Sequence, residues 1–479
     1  MNDMILILNY SDEFSMQIAR RLRAEQVYAK ILPGSISAEE VRAMNPRGVI
    51  LSGEADGCGG SFDGGILDLD IPVLAIGHAA HLLLSAMGGA SAGEAICDRK
   101  VAIKYEKSLL FTGVADGERY IGSAQTLMLP ADVRVIASAG ACTMAFEHES
   151  RRQFGVQFEL ERNDLEGSAM IKNFARDICG CNAWWTVDAA IHEARLILDE
   201  EAARGGRAIC AVSGGVDSAV AAMIAHQAFG ERMTAVFVDT GLMREGEAAR
   251  VKQLYEEQGI RLLSVDRSGM VLNALASRRS TQEKTDVVMR CMREEIERQA
   301  AAMPDAQTLI LGDNYSDLLR GGADEEWSGS GMKALRPLQM FFKEEICDAA
   351  AALGLGREVV EKKPFPALGL GARIMGEVTP ERLHAMRVAD EIFSREIQAA
   401  GLERRLHKYF PVMIAEHGAM DGMVMILRAV TLSGSQIMPA RLPYDLVERT
   451  VAGILEKAPS VLRVFYDQTP TQVGKELFQ

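Results

Sequence analysis

The sequence predicts an α/β protein built as three modules in tandem, and three observations predict it. A chain of 479 residues is too long for one hydrophobic core. Two separate stretches alternate strand-length apolar runs with helical patterns. A punctuated, glycine-rich segment then precedes a final hundred residues of mixed pattern. The expected modules are 1–185, 186–370 and 371–479.

The first module opens with the apolar run MILILNY. Residues 14–25 follow, with Met16, Ile18, Ala19 and Leu22 at helical spacing. VYAKILP reads as a strand, SAEEVRAM as a helix opened by a serine and two acids, and GVILSG as a further strand. IPVLAIG ends on glycine and feeds the helical HAAHLLLSAM. This rhythm implies a mainly parallel sheet covered by helices. The β-like runs VAIKY, VRVIAS and FGVQF complete the module.

Residues 186–204 read as a linking helix, broken by Gly205 and Gly206. A second βα series follows, with strands expected at 208–212, 234–239, 261–266 and 308–313. The polar, glycine-rich stretch 320–333 reads as a mobile loop, and PFPALGLG (364–371) as a boundary. Beyond it, helices are expected at 381–400 and 444–457, and strands at 422–430 and 461–466.

Hydrophobic residues make up 48% of the chain and charged residues 25%, the balance of a soluble globular protein. A net charge of −14 argues against a dominant nucleic-acid surface. No apolar run reaches the roughly 18–20 residues of a membrane span, and MNDMILILNYSDEF lacks a basic leader region. The eight cysteines are scattered, and the one close pair, Cys179 and Cys181, has no second pair at zinc-site spacing. A reduced cytoplasmic setting with buried thiols is expected.

The segment with the clearest chemistry is AICAVSGGVDSAVAAMIAHQAFG (208–230). An apolar strand runs into Ser213-Gly214-Gly215-Val216-Asp217-Ser218 and then an alanine-rich helix. Two glycines let the backbone turn sharply and bring N–H groups close to an anion. The helix start adds unpaired donors and partial positive charge. Ser213 and Ser218 offer hydroxyls. Asp217 repels phosphate unless a Mg²⁺ lies between them, which makes it the candidate metal ligand.

This string resembles the PP-loop of N-type ATP pyrophosphatases, with an adenine nucleotide α-hydrolase-like fold. The flanks resemble the GMP synthase family over almost the whole chain. VFVDTGLMREGEA (236–248) matches the segment whose backbone, around Val238, would hold adenine. Gly312 sits in the expected strand-end turn of LILGDNYSDLL. FFKEEI (341–346) supplies Lys343, matching the lysine on the ATP phosphates. LRAV, ARLPYDLV and VFYD resemble the family's small α+β dimerisation domain, which implies a homodimer. The implied reaction cleaves ATP between its α- and β-phosphates and adenylylates an acceptor oxygen. An amine then displaces AMP. Asp217 and Lys343 would be catalytic. Ser213, Gly214, Gly215, Val216, Asp217, Ser218, Val238 and Gly312 would bind ATP.

The first module resembles a class I glutamine amidotransferase through NPRGVILSG (45–53) and IPVLAIGHAAHLLLSAMGG (71–89). Where that family has its cysteine, this chain has Gly77. Where it has His-Pro-Glu, this chain has Glu159-Leu160-Glu161, and Glu54 replaces an oxyanion-hole glycine. A thioester needs a thiolate, a base and oxyanion donors, so no glutaminase activity is expected. His78 and His81 are expected to be structural, and Cys58 is at the wrong spacing for a displaced nucleophile.

The acceptor side also departs from the family. Pro364-Phe365-Pro366-Ala367-Leu368-Gly369-Leu370 stands for PFPGPGL and MDGMVM (420–425) for MGDGRxY. Thr471 and Gln479 replace a lysine and the terminal acid of the tail, and the lid loop's paired histidines are missing. The expectation is an ammonia-dependent ligase acting on xanthosine monophosphate or a related nucleotide, with free ammonia or a separate glutaminase as nitrogen source. Its rivals are a relative repurposed for another acceptor, a non-catalytic nucleotide-binding regulator and a tRNA thiolase.

Overall fold

The computed structural model describes residues 3–10, 12–53, 62–160, 165–303, 305–319, 331–360, 368–414, 422–433 and 436–472. The chain divides into two compact units, Met1–Ala189 and Ala190–Gln479.

The first unit is built on β1 (Met4–Asn9), β2 (Tyr28–Pro33), β3 (Gly48–Gly53), β4 (Val73–Gly77), β5 (Ala90–Tyr105), β6 (Gly117–Met128), β7 (Arg134–Ala139), β8 (Cys142–His148) and β9 (Gln153–Val156). They form one nine-stranded sheet in the order β2-β1-β3-β4-β9-β8-β7-β5-β6. The run from β2 to β9 is parallel, and the rest pairs antiparallel. The parallel strands are the apolar runs expected from sequence. Every residue of β3 is buried. The helix Ala38–Met44 starts as expected: Ser37 accepts from the Glu40 N–H, and Glu40 answers with the reciprocal bond.

The antiparallel half is larger than the sequence suggests. β6 and β8 were not expected, and VAIKY is the end of a 16-residue strand. The strand β6, GERYIGSAQTLM, mixes glycines and charges and is only half-buried. Its order comes from pairing with β5 along nearly its whole length, which a local pattern does not report.

The second unit carries β10 (Arg207–Val212), β11 (Met233–Asp239), β12 (Leu262–Asp266), β13 (Ala306–Ile310) and β14 (Lys333–Leu335). This sheet is parallel throughout, in the order β12-β11-β10-β13-β14. Chain order reverses around β10, which opens a crevice beyond the carboxyl ends of the strands. Two details correct the expectation. Strand β13 stops at Ile310, leaving 311–313 beyond it, and Lys333 begins β14 rather than closing a loop.

A mixed sheet follows: β15 (Ile374–Met375), β16 (Lys408–Ile414), β17 (Met423–Ser433), β18 (Gln436–Pro439), β19 (Val461–Tyr466) and β20 (Thr471–Gln472). Its order is β15-β16-β17-β18-β20, with β19 also on β17. The sequence reading omitted β16, which contains Pro411. Strand β15 reaches only Met413 and Ile414, so Pro411 forfeits no ladder bond on that edge. One core joins Leu242, Val271 and Val288, from the turn and helices beside the parallel sheet, to Leu370, Met386, Phe393, Met413 and Leu427 of the mixed-sheet region. Among the described residues no helix is long and apolar enough to cross a membrane. Of the described cysteines, Cys179, Cys181, Cys210 and Cys291 are free and buried.

Candidate functional site

Strand β10 ends at Val212, and the helix Val216–Phe229 begins four residues later. Gly214 turns the chain at φ +79°, a conformation that only glycine adopts without strain. The two serines brace the loop. The Ser213 N–H donates to Ser218 Oγ at 3.2 Å, and the Gly215 N–H to Ser213 Oγ at 3.4 Å. The Ser218 hydroxyl donates to the Gly215 carbonyl at 3.0 Å and lies 3.3 Å from the Ser213 hydroxyl. No side chain caps the helix at Gly215, so its first N–H groups keep their capacity for an anion. Val216 is in the core, which leaves it only main-chain donors to offer.

Asp217, in the first helical turn, meets the first residue of the helix Lys343–Ala352: Lys343 Nζ is 2.6 Å from Asp217 Oδ1. The structure thus brings together two residues 126 apart in sequence. Gly312 packs on the same helix start, where a Cβ would stand 3.0 Å from both N and Cα of Ser218. Its place is to let the 311–313 turn approach the loop. Val238 lies one residue past the last β10–β11 pair, Val212 with Phe237, at the carboxyl edge beside the loop. Sequence reasoning missed Arg336. It follows β14 and pairs with Asp313 at 2.9 Å, next to Gly312. A charge directly after the apolar pair Ala334-Leu335 was the available signal.

In the first unit, β4 ends at Gly77 with φ +66°, a sharp strand-to-helix turn into Ala79–Ala86. The His78 N–H donates to the Gly53 carbonyl at 3.1 Å. A Cβ on Gly77 would stand 3.0 Å from that same oxygen. Glu159 follows β9, beside β4, and its Oε1 lies 2.6 Å from where a Cβ on Gly122 would be. Glu54, Cys58 and Glu161 lie outside the described residues.

The rings of His78 and His81 are 5.0 Å apart. Burial pushes both imidazoles down, His81 to about 4, with repulsion from His78 adding and a Gln157 hydrogen bond opposing. Among the described residues no three metal-ligating side chains converge. The unfolded chain protonates His81 near the ordinary 6.5, so it binds the extra proton first as the pH falls. Stability carried by neutral His81 is therefore present above 6.5 and lost on acidification toward 4. The melting temperature of His81→Gln is expected to fall less steeply than wild type between pH 7 and pH 4. Parallel curves would remove His81 as the source.

Two family models match the chain: class-I glutamine amidotransferase over residues 6–178 and NAD synthase over residues 195–398. The glutamine-hydrolysing GMP synthase of Geobacillus kaustophilus is 32% identical over 506 residues, covering 98% of each chain. That of Bacillus cytotoxicus is 31% identical over 504 residues, covering 98% of this chain and 97% of its own. A solved GMP synthase subunit from Thermoplasma acidophilum is 21% identical with a TM-score of 0.32, over 37% of this chain and 94% of its own. Full-length similarity to the two bacterial synthases, with the two family models in the same order as the two units, shows that the chain belongs to the GMP synthase family of ATP-dependent C–N ligases.

Proposed function

We propose that this protein adenylylates an acceptor oxygen with ATP and aminates it with ammonia, releasing AMP and pyrophosphate, and that its amidotransferase module does not hydrolyse glutamine. The favoured acceptor is xanthosine monophosphate, the product then being GMP. The observation that carries the reading is the braced loop at Ser213-Gly214-Gly215 with the Asp217–Lys343 pair at its mouth.

The donor set fits Mg·ATP. Backbone N–H groups at the helix start and the two serine hydroxyls suit phosphate oxygens. Mg²⁺ is held by one or two carboxylates together with substrate phosphates, and Asp217 supplies one. Bound there, Mg²⁺ would neutralise charge growing on the departing pyrophosphate. Lys343 would move its ammonium from Asp217 to the phosphates, the main chain near Val238 would select adenine, and Gly312 would hold the loop in place. The exposed Leu432, Met438, Tyr444, Leu462 and Phe465 of the C-terminal module support a homodimer. A cytoplasmic location fits this chemistry.

A second reading, a different acceptor, is favoured by Thr471. It stands where the family's tail carries a lysine, and it accepts from the buried Arg428 at 2.9 Å. Arg428 also pairs with Asp467, so this corner is filled by the chain itself. The test is AMP formation from Mg·ATP and ammonium with a panel of purine nucleotides. Stoichiometric AMP and GMP from xanthosine monophosphate support the first reading. AMP with another nucleotide alone supports the second, and no AMP with any acceptor defeats both.

A further inference from the structure

Resting on that reading, the turn 240–244 after β11 belongs to the nucleotide side and 368–376 to the acceptor side. The two are joined main chain to main chain. The Leu370 N–H donates to the Leu242 carbonyl at 2.8 Å. Gly369, at φ +59°, lies so close that a Cβ would stand 2.3 Å from the same oxygen. A side chain there would force the turns apart.

One face of the helix Pro380–Ala399 grips both turns. Arg387 donates through Nε to the Met243 carbonyl at 3.0 Å and through Nη2 to the Gly241 carbonyl. These two carbonyls flank Leu242. One helical turn on, Asp390 pairs with Arg244 from the first turn at 2.8 Å and with Arg373 from the second. Asp390 is 3% exposed and Arg373 5%. From the helix Thr281–Ala301, the buried Lys284 donates to the carbonyls of Gly371, Ile374 and Gly376 at 3.2, 2.7 and 3.2 Å. Buried charges fix whatever they are paired with, because an unpaired one is costly. Neither turn can shift without breaking bonds held by the other.

We infer that Arg387 is a positioning residue that couples the nucleotide and acceptor sites, so that occupancy of one turn sets the geometry of the other. It touches no reacting atom. It acts through the carbonyls on either side of Leu242, and Asp390 and Lys284 complete the clamp. Linkage makes the coupling reciprocal: the acceptor tightens the nucleotide as much as the nucleotide tightens the acceptor.

The test uses the full-length protein, Mg²⁺, α,β-methylene-ATP and xanthosine monophosphate. Calorimetry measures each affinity with and without the other ligand. Wild type is expected to bind each about fivefold or more tightly when the other is present. In Arg387→Met that factor is expected to fall to about one, with the single-ligand affinities changed by only a few-fold. Arg387→Lys, which keeps charge but loses the fork, is expected to recover part of it. A merely structural role would instead lower the melting temperature and both single-ligand affinities, leaving the coupling factor intact. A folded Arg387→Met with wild-type coupling overturns the inference. If that variant does not fold, Asp390→Asn is judged by the same factor. Wild type that binds both ligands independently also overturns it while the proposed reaction stands. Wild type that does not bind xanthosine monophosphate shows that the acceptor assignment has failed, and the coupling falls with it.

Discussion

Asp217→Asn is expected to lower the rate of AMP formation by at least about a hundredfold, with little change in melting temperature. Asparagine keeps the shape of the side chain and loses only its charge. Asp217 sits in the first turn of a helix whose N–H groups are available to phosphate, and a carboxylate in that place repels phosphate unless a cation lies between them. Its partner in the structure is Lys343, at 2.6 Å. Removing one preorganised charge-stabilising group from an active site typically costs about 10²–10³ in rate. The side chains of Asp217 and Lys343 are 26% and 39% exposed, so the pair itself adds little to stability. Lys343→Met is expected to show the same signature. AMP release within a few-fold of wild type in both variants, with lower melting temperatures, would reduce the pair to a structural ion pair and sink its catalytic assignment.

Ammonium is expected to support the reaction at least about a thousandfold faster than glutamine, because removing the nucleophile from a catalytic constellation costs that much or more. Glycine at position 77 has no atom to acylate. Glu159 stands in the place of the family's histidine, so the imidazole base is missing. The His78 N–H, the donor that follows the elbow, is occupied by the Gly53 carbonyl at 3.1 Å. For the same reasons Gly77→Cys alone is expected to release no ammonia from glutamine. A Cβ there meets the Gly53 oxygen at 3.0 Å, and neither base nor oxyanion donor is restored. Glutamine turnover by wild type, measured as glutamate released, would refute the silent-module reading.

Much of this was legible in the sequence, for definable reasons. Buried parallel strands read as apolar runs, which is why β1, β3, β4, β10 and β11 could be placed. Strand β6 shows no regular alternation and takes its order from β5, and β8 from its hairpin with β7, Ala139 opposite Cys142, and from β9. The phosphate loop was legible because its backbone demands glycine at 214 and donors at 213 and 218. Lys343 was legible only through its neighbours, since an isolated lysine at a helix start says nothing. Arg387, Asp390 and Lys284 were not legible at all. On paper each is an ordinary charged residue on a helix. In the fold, two of them bind main-chain carbonyls far away in sequence, and Lys284 is 1% exposed. Burial pulls its ammonium down to about 8, while three carbonyls hold the proton in place.

Gly77 has a further consequence. A cysteine held at φ +66° stores backbone tension of about 1 kcal/mol or more, and glycine stores none. Exchanging a nucleophile for glycine at this elbow therefore relaxes the turn. The module gains stability by the same change that would disarm it. Such an exchange works as a ratchet: the forward step is downhill for folding, and the return must climb the strain again before any chemistry rewards it.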